Sequence, residues 1–209
     1  LAAGPDLPAA LTSAATGALP APLRLQGAAG AAAAGGFAVV AAAWRDDDGD
    51  AHVEIIAHRE GDGWLPQFIT DHIRHDRNVH VGFDSIGNNL NIAEDLQRVP
   101  RGRPRLKPII GKANAAAAAA MYSHIKQGKL HHYDQPMLND AAKVATRRGE
   151  NSESSGWYWG RRRSKGDIQP LVAATVALRT LDETTSRTAG GTFGGRRSSA
   201  AERRPSRRQ

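Results

Sequence analysis

Two hydrophobic periods organise the middle of the chain. Short apolar or alternating runs predict buried strands, and apolar positions three or four residues apart predict helices. The predicted strands cover residues 37–44, 52–57, 79–84, 106–110, 130–133 and 157–159. The predicted helices cover residues 64–73, 89–98, 114–126, 136–144 and 168–181.

The order of these elements predicts the fold class. Only the turn-like segment 46–50 separates the first two strands, so they should form an antiparallel hairpin. The later strands alternate with helices, which favours parallel pairing and helices packed on the sheet. We therefore predict an α/β fold with a mixed sheet flanked by helices. The chain has no internal repeat and no phosphate-binding GxxxxGK[ST] loop, so the sequence does not support an ATPase.

Composition changes at both ends of the chain. Residues 1–36 are rich in Ala, Gly and Pro, and Asp6 and Arg24 are their only charged residues. Residues 183–209 carry seven Arg and two Glu, a net charge of +5, which is most of the +7 of the whole chain. Such a tail cannot bury a core and suits a polyanion partner. We expect a low-complexity segment at 1–36, a folded domain at 37–182 and a basic disordered tail at 183–209.

Composition also excludes several classes of protein. Cys is absent, which rules out a disulfide framework and a Cys-based zinc site. The sequence has no apolar run of membrane-spanning length and no secretory signal pattern. We therefore expect a cytoplasmic protein with no membrane partner.

Two acidic residues stand where α/β sheets carry their chemistry. Asp84 ends a predicted strand, and Asp167 precedes the last predicted helix. Ligands of open α/β sheets bind outside the carboxyl ends of the strands. Two carboxylates brought together there would suit Mg²⁺ or Mn²⁺, and two such ions can promote phosphodiester cleavage. Alternatively, each Asp simply caps the helix that follows it.

A basic run leads into Asp167. Arg161, Arg162, Arg163 and Lys165 could hold a DNA backbone near the carboxylates, because phosphate contacts position a duplex without reading its sequence. A solvated basic loop is the other interpretation.

Two further clusters contain residue types that bind metal ions in other proteins. The four Asp residues within 46–50 lack the ligand spacing and terminal Glu of a calcium loop, so we interpret them as a solvated turn. His131 and His132 are adjacent on a predicted strand and should point to opposite faces, which argues against a shared ligand role. Trp157 and Trp159 should share one face and belong to the core.

Three segments resemble the nuclease domain of the large terminase subunit of tailed bacteriophages. They are Gly166–Thr175, Trp157–Arg162 and Gly128–Pro136, and Asp84 occupies the place of that family's second acid. The resemblance runs from about Phe37 to Leu181. It implies a ribonuclease H-like fold, with Asp84 and Asp167 as ligands of two Mg²⁺ or Mn²⁺ ions.

The resemblance also implies a function and partners. The chain would be an endonuclease that cuts double-stranded DNA during viral genome packaging, in the cytoplasm of a phage-infected or prophage-carrying bacterium. A separate ATPase motor, a small terminase subunit and a portal would be its packaging partners.

The sequence departs from this family in two ways. It contains no motor domain. The family's first acid should fall near Gly30, where residues 27–34 contain no acid. The alternative is therefore a catalytically inactive fragment or degenerate copy that binds DNA or packaging partners, and a third interpretation is a nucleic-acid binder that works through its tail. If the missing acid matters, Gly30→Asp should raise metal affinity and cutting.

Overall fold

The computed structural model of the protein describes residues 28–34, 36–73, 79–84, 89–98, 105–149 and 156–189. Its strands are β1 (Ala28–Ala34), β2 (Phe37–Arg45), β3 (Ala51–Glu60), β4 (His80–Asp84), β5 (Arg105–Ile109), β6 (Leu130–His131), β7 (Arg147–Arg148) and β8 (Tyr158–Trp159). Its helices are α1 (Leu65–Ile73), α2 (Asn89–Arg98), α3 (Lys112–Lys126), α4 (Pro136–Val144) and α5 (Gln169–Ala189).

Six strands form one mixed sheet in the order β5-β4-β1-β2-β3-β6. The β1–β2 and β2–β3 pairs are antiparallel. The β1–β4, β4–β5 and β3–β6 pairs are parallel. The predicted fold class, an α/β mixed sheet flanked by helices, is confirmed.

Helices cover both faces of this sheet. Helices α3, α4 and α5 pack on one face, and α1 and α2 pack on the other. Helix α5 crosses β1, β2 and β4. Its first half is buried on every side, with Leu171, Ala173 and Val176 fully buried, because it lies between the sheet and its neighbouring helices.

The expected start of the folded domain at residue 37 is wrong. Residues 28–34 form β1, which lies in the middle of the sheet between β2 and β4. An Ala/Gly strand has no bulky residues to mark a two-residue period, so its pattern was not visible. The small residues have a structural reason. A Cβ atom at Gly30 would collide with the main chain of Ala173 and Ala177 in α5.

The segment 157–159 is a strand of a different sheet from the one expected. Tyr158–Trp159 pairs antiparallel with Arg147–Arg148, a strand that the sequence did not predict, to form a separate two-stranded sheet. The core role of the two tryptophans is confirmed. Trp159 is buried and donates a hydrogen bond from Nε1 to Thr175 Oγ1 at 3.0 Å, and the Trp157 ring packs edge-on against it at 4.9 Å.

The expected boundary at residue 182 lies inside a helix, since α5 runs on to Ala189. Residues 1–27 and 190–209 lie outside the described residues, so the expectations of a low-complexity segment and a disordered tail stay predictions there. Among the described residues, none of the helices combines the length and apolar character needed to span a membrane.

The close approach of β1 to α5 predicts a sharp cost for any side chain at Gly30. Gly30→Ala should lower the free energy of unfolding by about 3 kcal/mol, or Tm by roughly 6–12 °C, because the clash involves main-chain atoms that cannot move aside independently. Gly63→Ala is the matched control, since a Cβ there meets no neighbour. Thermal unfolding followed by circular dichroism measures both, and equal Tm values for the two variants would contradict the close packing of α5 on β1.

Candidate functional site

Asp84 and Asp167 line one cavity of about 860 Å³. Asp84 is the last residue of β4, and Asp167 stands two residues before the start of α5. The two residues are 83 positions apart in the sequence, and the crossing of α5 over the sheet brings them together. The structure therefore places both predicted carboxylates at a single site.

The Asp84 carboxylate is completely buried and bonded at both oxygens. Oδ1 accepts a hydrogen bond from the side-chain amide of Asn89, at the start of α2. Oδ2 forms an ion pair with Nη2 of Arg161. A buried carboxylate is costly unless it is paired, so the guanidinium of Arg161 compensates the charge of Asp84.

Asp167 is partly exposed and has two roles. Its Oδ1 accepts a hydrogen bond from the backbone N–H of Gln169 at 2.9 Å, which caps the start of α5. Its Oδ2 lies 2.8 Å from Nε2 of His58 on β3. Asp167 therefore caps α5 and also lines the cavity, while its role as a metal ligand stays a prediction.

A β-bulge places His58 beside Asp167. Val40 of β2 pairs with Ala57, and Ala41 pairs with Ile55, which leaves Ile56 as an extra residue in β3. The bulge reverses the alternation of side chains, so that His58 lies opposite Val39 on the face that carries α5. The sequence did not single out His58, because strict alternation assigns it to the other face.

The side chain of Gln135 stabilises the backbone at this irregular place. Its Oε1 accepts a hydrogen bond from the Ile55 N–H at 2.7 Å, and its Nε2 donates to the Ile55 carbonyl at 2.9 Å. The short strand β6 pairs only with Ala51 and His52 of β3. The side-chain amide of Gln135 therefore takes the place of a partner strand at Ile55, between β6 and the bulge.

Most of the predicted cationic residues surround the cavity. Arg161, Arg162 and Arg163 line it, and Lys165 is exposed on the same loop but is not among its lining residues. Arg161 is turned towards Asp84, whereas Arg162 and Arg163 are exposed. The sequence missed Arg148, an exposed residue of β7 that also lines the cavity, because a two-residue strand leaves no periodic signal.

Two buried polar atoms at the cavity have no hydrogen-bond partner within the described part of the chain. They are Nη1 of Arg161, a donor, and Oε1 of Gln169, an acceptor. Buried polar groups are normally satisfied, and an orphan at a cavity calls for an explanation. A polar ligand in this cavity can complete both hydrogen bonds.

The position beside Asp84 on β1 is Ala32. Gly30 pairs with Gly82 and Ala31 with Phe83, so the next residue of β1 adjoins Asp84. Ala32 is fully buried among the residues that pack against α5. The residue of β1 that adjoins Asp84 is therefore Ala32 and not the expected Gly30, and neither residue is acidic.

The donor set limits which metal this cavity can hold. Asp84 and Asp167 are its acidic lining residues. Among the described residues, one group of three His and Asp side chains has its ligand atoms close together, but that group does not line this cavity. Two carboxylates suit one Mg²⁺-like ion that takes its other ligands from water and phosphate, and they are few for two ions. Arg161 already pairs with Oδ2 of Asp84, so an ion bound by both carboxylates would share Asp84 with this guanidinium.

Sequence comparison places the chain in no known family, and no curated protein matches it. Comparison of folds does find similar structures. The large terminase of bacteriophage HK97 superposes with a TM-score of 0.59 at 13% identity, over 82% of this chain and 42% of the terminase. This chain therefore spans less than half of the HK97 protein.

The large terminase nuclease of thermophilic phage G20c superposes with a TM-score of 0.52 at 13% identity, over 71% of this chain and 77% of the nuclease. The same nuclease with bound magnesium gives a TM-score of 0.54 over 72% and 79% of the two chains. The predicted resemblance is confirmed at the level of structure: the chain has the mixed α/β fold of the phage large terminase nucleases.

Proposed function

We propose that this chain is a terminase-type nuclease domain that binds double-stranded DNA at the cavity of Asp84 and Asp167 and cuts it with the help of a divalent metal ion. One observation carries the proposal. Two carboxylates from distant parts of the sequence line a single cavity that several arginines also line. The terminase-nuclease fold supports the same function.

The exposed cations would hold the DNA backbone. Arg148, Arg162 and Arg163 line the cavity, and Lys165 adds charge on the same loop. Interactions of this kind fix the position and orientation of a duplex and carry no base information. Nη1 of Arg161 is a further donor that a phosphate oxygen can satisfy.

Asp84 and Asp167 would hold Mg²⁺ or Mn²⁺. Such an ion, when bound, activates water and stabilises the leaving oxygen in phosphodiester hydrolysis. The phage G20c nuclease has been solved with bound magnesium and with bound cobalt, which supports a divalent ion in this fold. His58 would hold the Asp167 carboxylate in a fixed orientation at 2.8 Å. We propose one ion in place of the two that the resemblance implied, since the cavity offers two carboxylates.

The biological setting follows from the same likeness. We propose that the domain acts in viral genome packaging, in the cytoplasm of an infected or prophage-carrying bacterium. The ATPase motor, the small terminase subunit and the portal would be its partners.

A second candidate function is DNA binding without cutting. The ion pair of Arg161 with Asp84 favours it, since a guanidinium already neutralises the carboxylate that would bind a metal ion. The buried Ala32 beside Asp84 favours it as well. In this second candidate the cavity binds phosphate and holds no catalytic ion.

Nicking of supercoiled plasmid in Mn²⁺ separates the two candidates. We expect the parent chain to nick the plasmid and Asp167→Asn to abolish the activity. Asn also caps helices well, so this variant should keep the fold while removing the charged ligand. His58→Gln should cost less, about 10- to 100-fold, because His58 supports a ligand and does not bind the ion itself. Retained nicking in Asp167→Asn would exclude the proposed site, and DNA binding without nicking by the parent would establish the second candidate.

The corrected position on β1 gives a gain-of-function test. Ala32→Asp should lower Tm without metal, because its carboxylate is buried, and Mn²⁺ should restore Tm and bind at least about tenfold more tightly than to the parent. Gly30→Asp is the matched control and should be destabilised with or without Mn²⁺, since its side chain meets the backbone of α5. Thermal melts and calorimetric titration measure these effects. A folded Ala32→Asp variant with unchanged Mn²⁺ affinity would contradict the assigned register.

The exposed arginines should control affinity for DNA. Removing Arg162 and Arg163 together should weaken binding to any duplex sequence, and it should reduce the slope of log K against log[salt] by about 0.9 for each DNA phosphate that is no longer neutralised. Arg98→Ala is the control, since Arg98 is exposed on α2, away from the cavity-lining residues. A chain ending at residue 189 tests the tail. If that truncation removes the salt dependence and the double variant does not, the tail is the DNA-binding element.

A further inference from the structure

A second group of convergent ligand atoms lies outside the nuclease-like cavity. It consists of Asp46, His52 and His131, each of which offers one ligand atom within 4.8 Å of the others. Asp46 is exposed, and the two histidines are partly buried. The Asp84–Asp167 cavity includes none of the three among its lining residues.

Strand register brings the two histidines together. His52 of β3 and His131 of β6 are direct partners in a parallel pair, so their side chains project from the same face of the sheet. Their rings are 4.9 Å apart. His132, the sequence neighbour of His131, is fully buried. The opposite-face prediction for the adjacent pair is thus consistent with the structure, but the relevant partner of His131 is His52.

The turn between β2 and β3 supplies carboxylates to both histidines. Asp46 Oδ2 lies 2.9 Å from His52 Nε2, and Asp50 Oδ2 lies 3.4 Å from His131 Nε2. The turn is closed by a hydrogen bond from the Gly49 N–H to the Asp46 carbonyl at 3.1 Å, and by one from the Asp50 N–H to Asp46 Oδ1 at 2.8 Å. These bonds hold the Asp46 carboxylate next to the histidine pair.

Aromatic stacking restricts the ring of His52. The Trp44 ring stacks on it at 5.3 Å with an interplanar angle of 15°, and Tyr133 stacks in turn on Trp44 at 6.1 Å. A ligand ring that is already ordered gives up less rotamer freedom when it coordinates an ion. The Nδ1 atom of His131 is buried and lacks a hydrogen-bond partner among the described residues, so that ring has bonding capacity to spare.

We propose that Asp46, His52 and His131, with Asp50 beside them, bind a Zn²⁺-class transition-metal ion. Two imidazole nitrogens and a carboxylate oxygen suit Zn²⁺, Co²⁺ or Ni²⁺, whereas Mg²⁺ prefers oxygen ligands throughout. Three protein ligands leave a coordination position for water. The exposure of Asp46 gives the ion a path from solvent.

This ion would be separate from any ion in the nuclease-like cavity. His52 and His58 are both on β3, and six residues of strand span about 20 Å at roughly 3.3 Å per residue. The cluster also lies on the face of the sheet opposite α5. The neighbours of His52 in β3, Ala51 and Val53, face α5, and alternation along the strand turns His52 the other way. The bulge, in contrast, turns His58 towards α5.

The ion would fasten the edge of the sheet. Strand β6 is held to β3 by only two residue pairs, and the proposed ligands come from the turn, from β3 and from β6. Coordination would join these three segments. A ligand that binds only the folded state stabilises it in proportion to the logarithm of its concentration over Kd. Zn²⁺ at a hundredfold excess over Kd should therefore raise Tm by about 5–10 °C.

The test is calorimetric titration of the full chain with ZnCl₂, repeated in a large excess of MgCl₂. We expect one Zn²⁺ per chain, undiminished by Mg²⁺, and a tetrahedral ligand-field spectrum when Co²⁺ replaces Zn²⁺. His52→Gln and Asp46→Asn should each weaken Zn²⁺ binding at least tenfold. Asp167→Asn should leave it unchanged, which separates this site from the proposed nuclease centre.

Matched controls keep the outcome decisive. His72→Gln removes an exposed histidine of α1, and Asp48→Asn removes a turn carboxylate outside the ligand group, and neither should alter Zn²⁺ affinity. Tm measured without metal shows whether each variant is folded. Zn²⁺ binding that folded His52→Gln and Asp46→Asn variants retain in full would overturn the proposal. Absence of Zn²⁺ binding by the parent would also overturn it, and would leave the two His–Asp contacts as interactions that order the turn.

Discussion

The packing of α5 on the central strands of the sheet is the constraint on which the remaining structure depends. The helix lies so close to β1 and β4 that glycines stand beneath it, and a Cβ atom at Gly30 or Gly82 would collide with α5 atoms. This packing fixes the distance of α5 from the sheet and the direction of its axis. Because Asp167 caps the start of that helix and Asp84 ends β4, the same packing sets the position of one carboxylate relative to the other.

Burial of Asp84 determines the electrostatics of the site. Its carboxylate is shielded from solvent, and a buried carboxylate is costly without a cationic partner. Arg161 supplies that partner and comes from the loop that precedes Asp167. One arginine of this loop therefore neutralises a buried acid, while Arg162 and Arg163 remain exposed at the cavity. Neighbouring arginines in the sequence thus have different electrostatic surroundings.

Sequence patterns predicted the elements with bulky apolar residues, the fold class, and the two acids at element ends, because burial of large side chains leaves a period that can be recognised. The patterns failed where the structure depends on other constraints. At Gly30 of strand β1, α5 leaves no room for a side chain, and a strand of Ala and Gly has no visible alternation. His58 reaches Asp167 through a bulge that inverts alternation. His52 meets His131 through strand register, which no local pattern encodes.

Packing and electrostatics at β1 also bear on the acid that the resemblance led us to expect there. The position adjoining Asp84 is Ala32, fully buried against α5, and an acid there would place a second carboxylate next to Asp84. Two carboxylates so close together oppose each other's ionisation unless a cation or a proton offsets one of the charges. Arg161 neutralises the charge of Asp84, which is the single carboxylate at this position. An uncharged alanine on β1 therefore fits the one arginine supplied by the loop. In the proposed nuclease, a metal ion would therefore share Asp84 with an arginine that the protein itself provides.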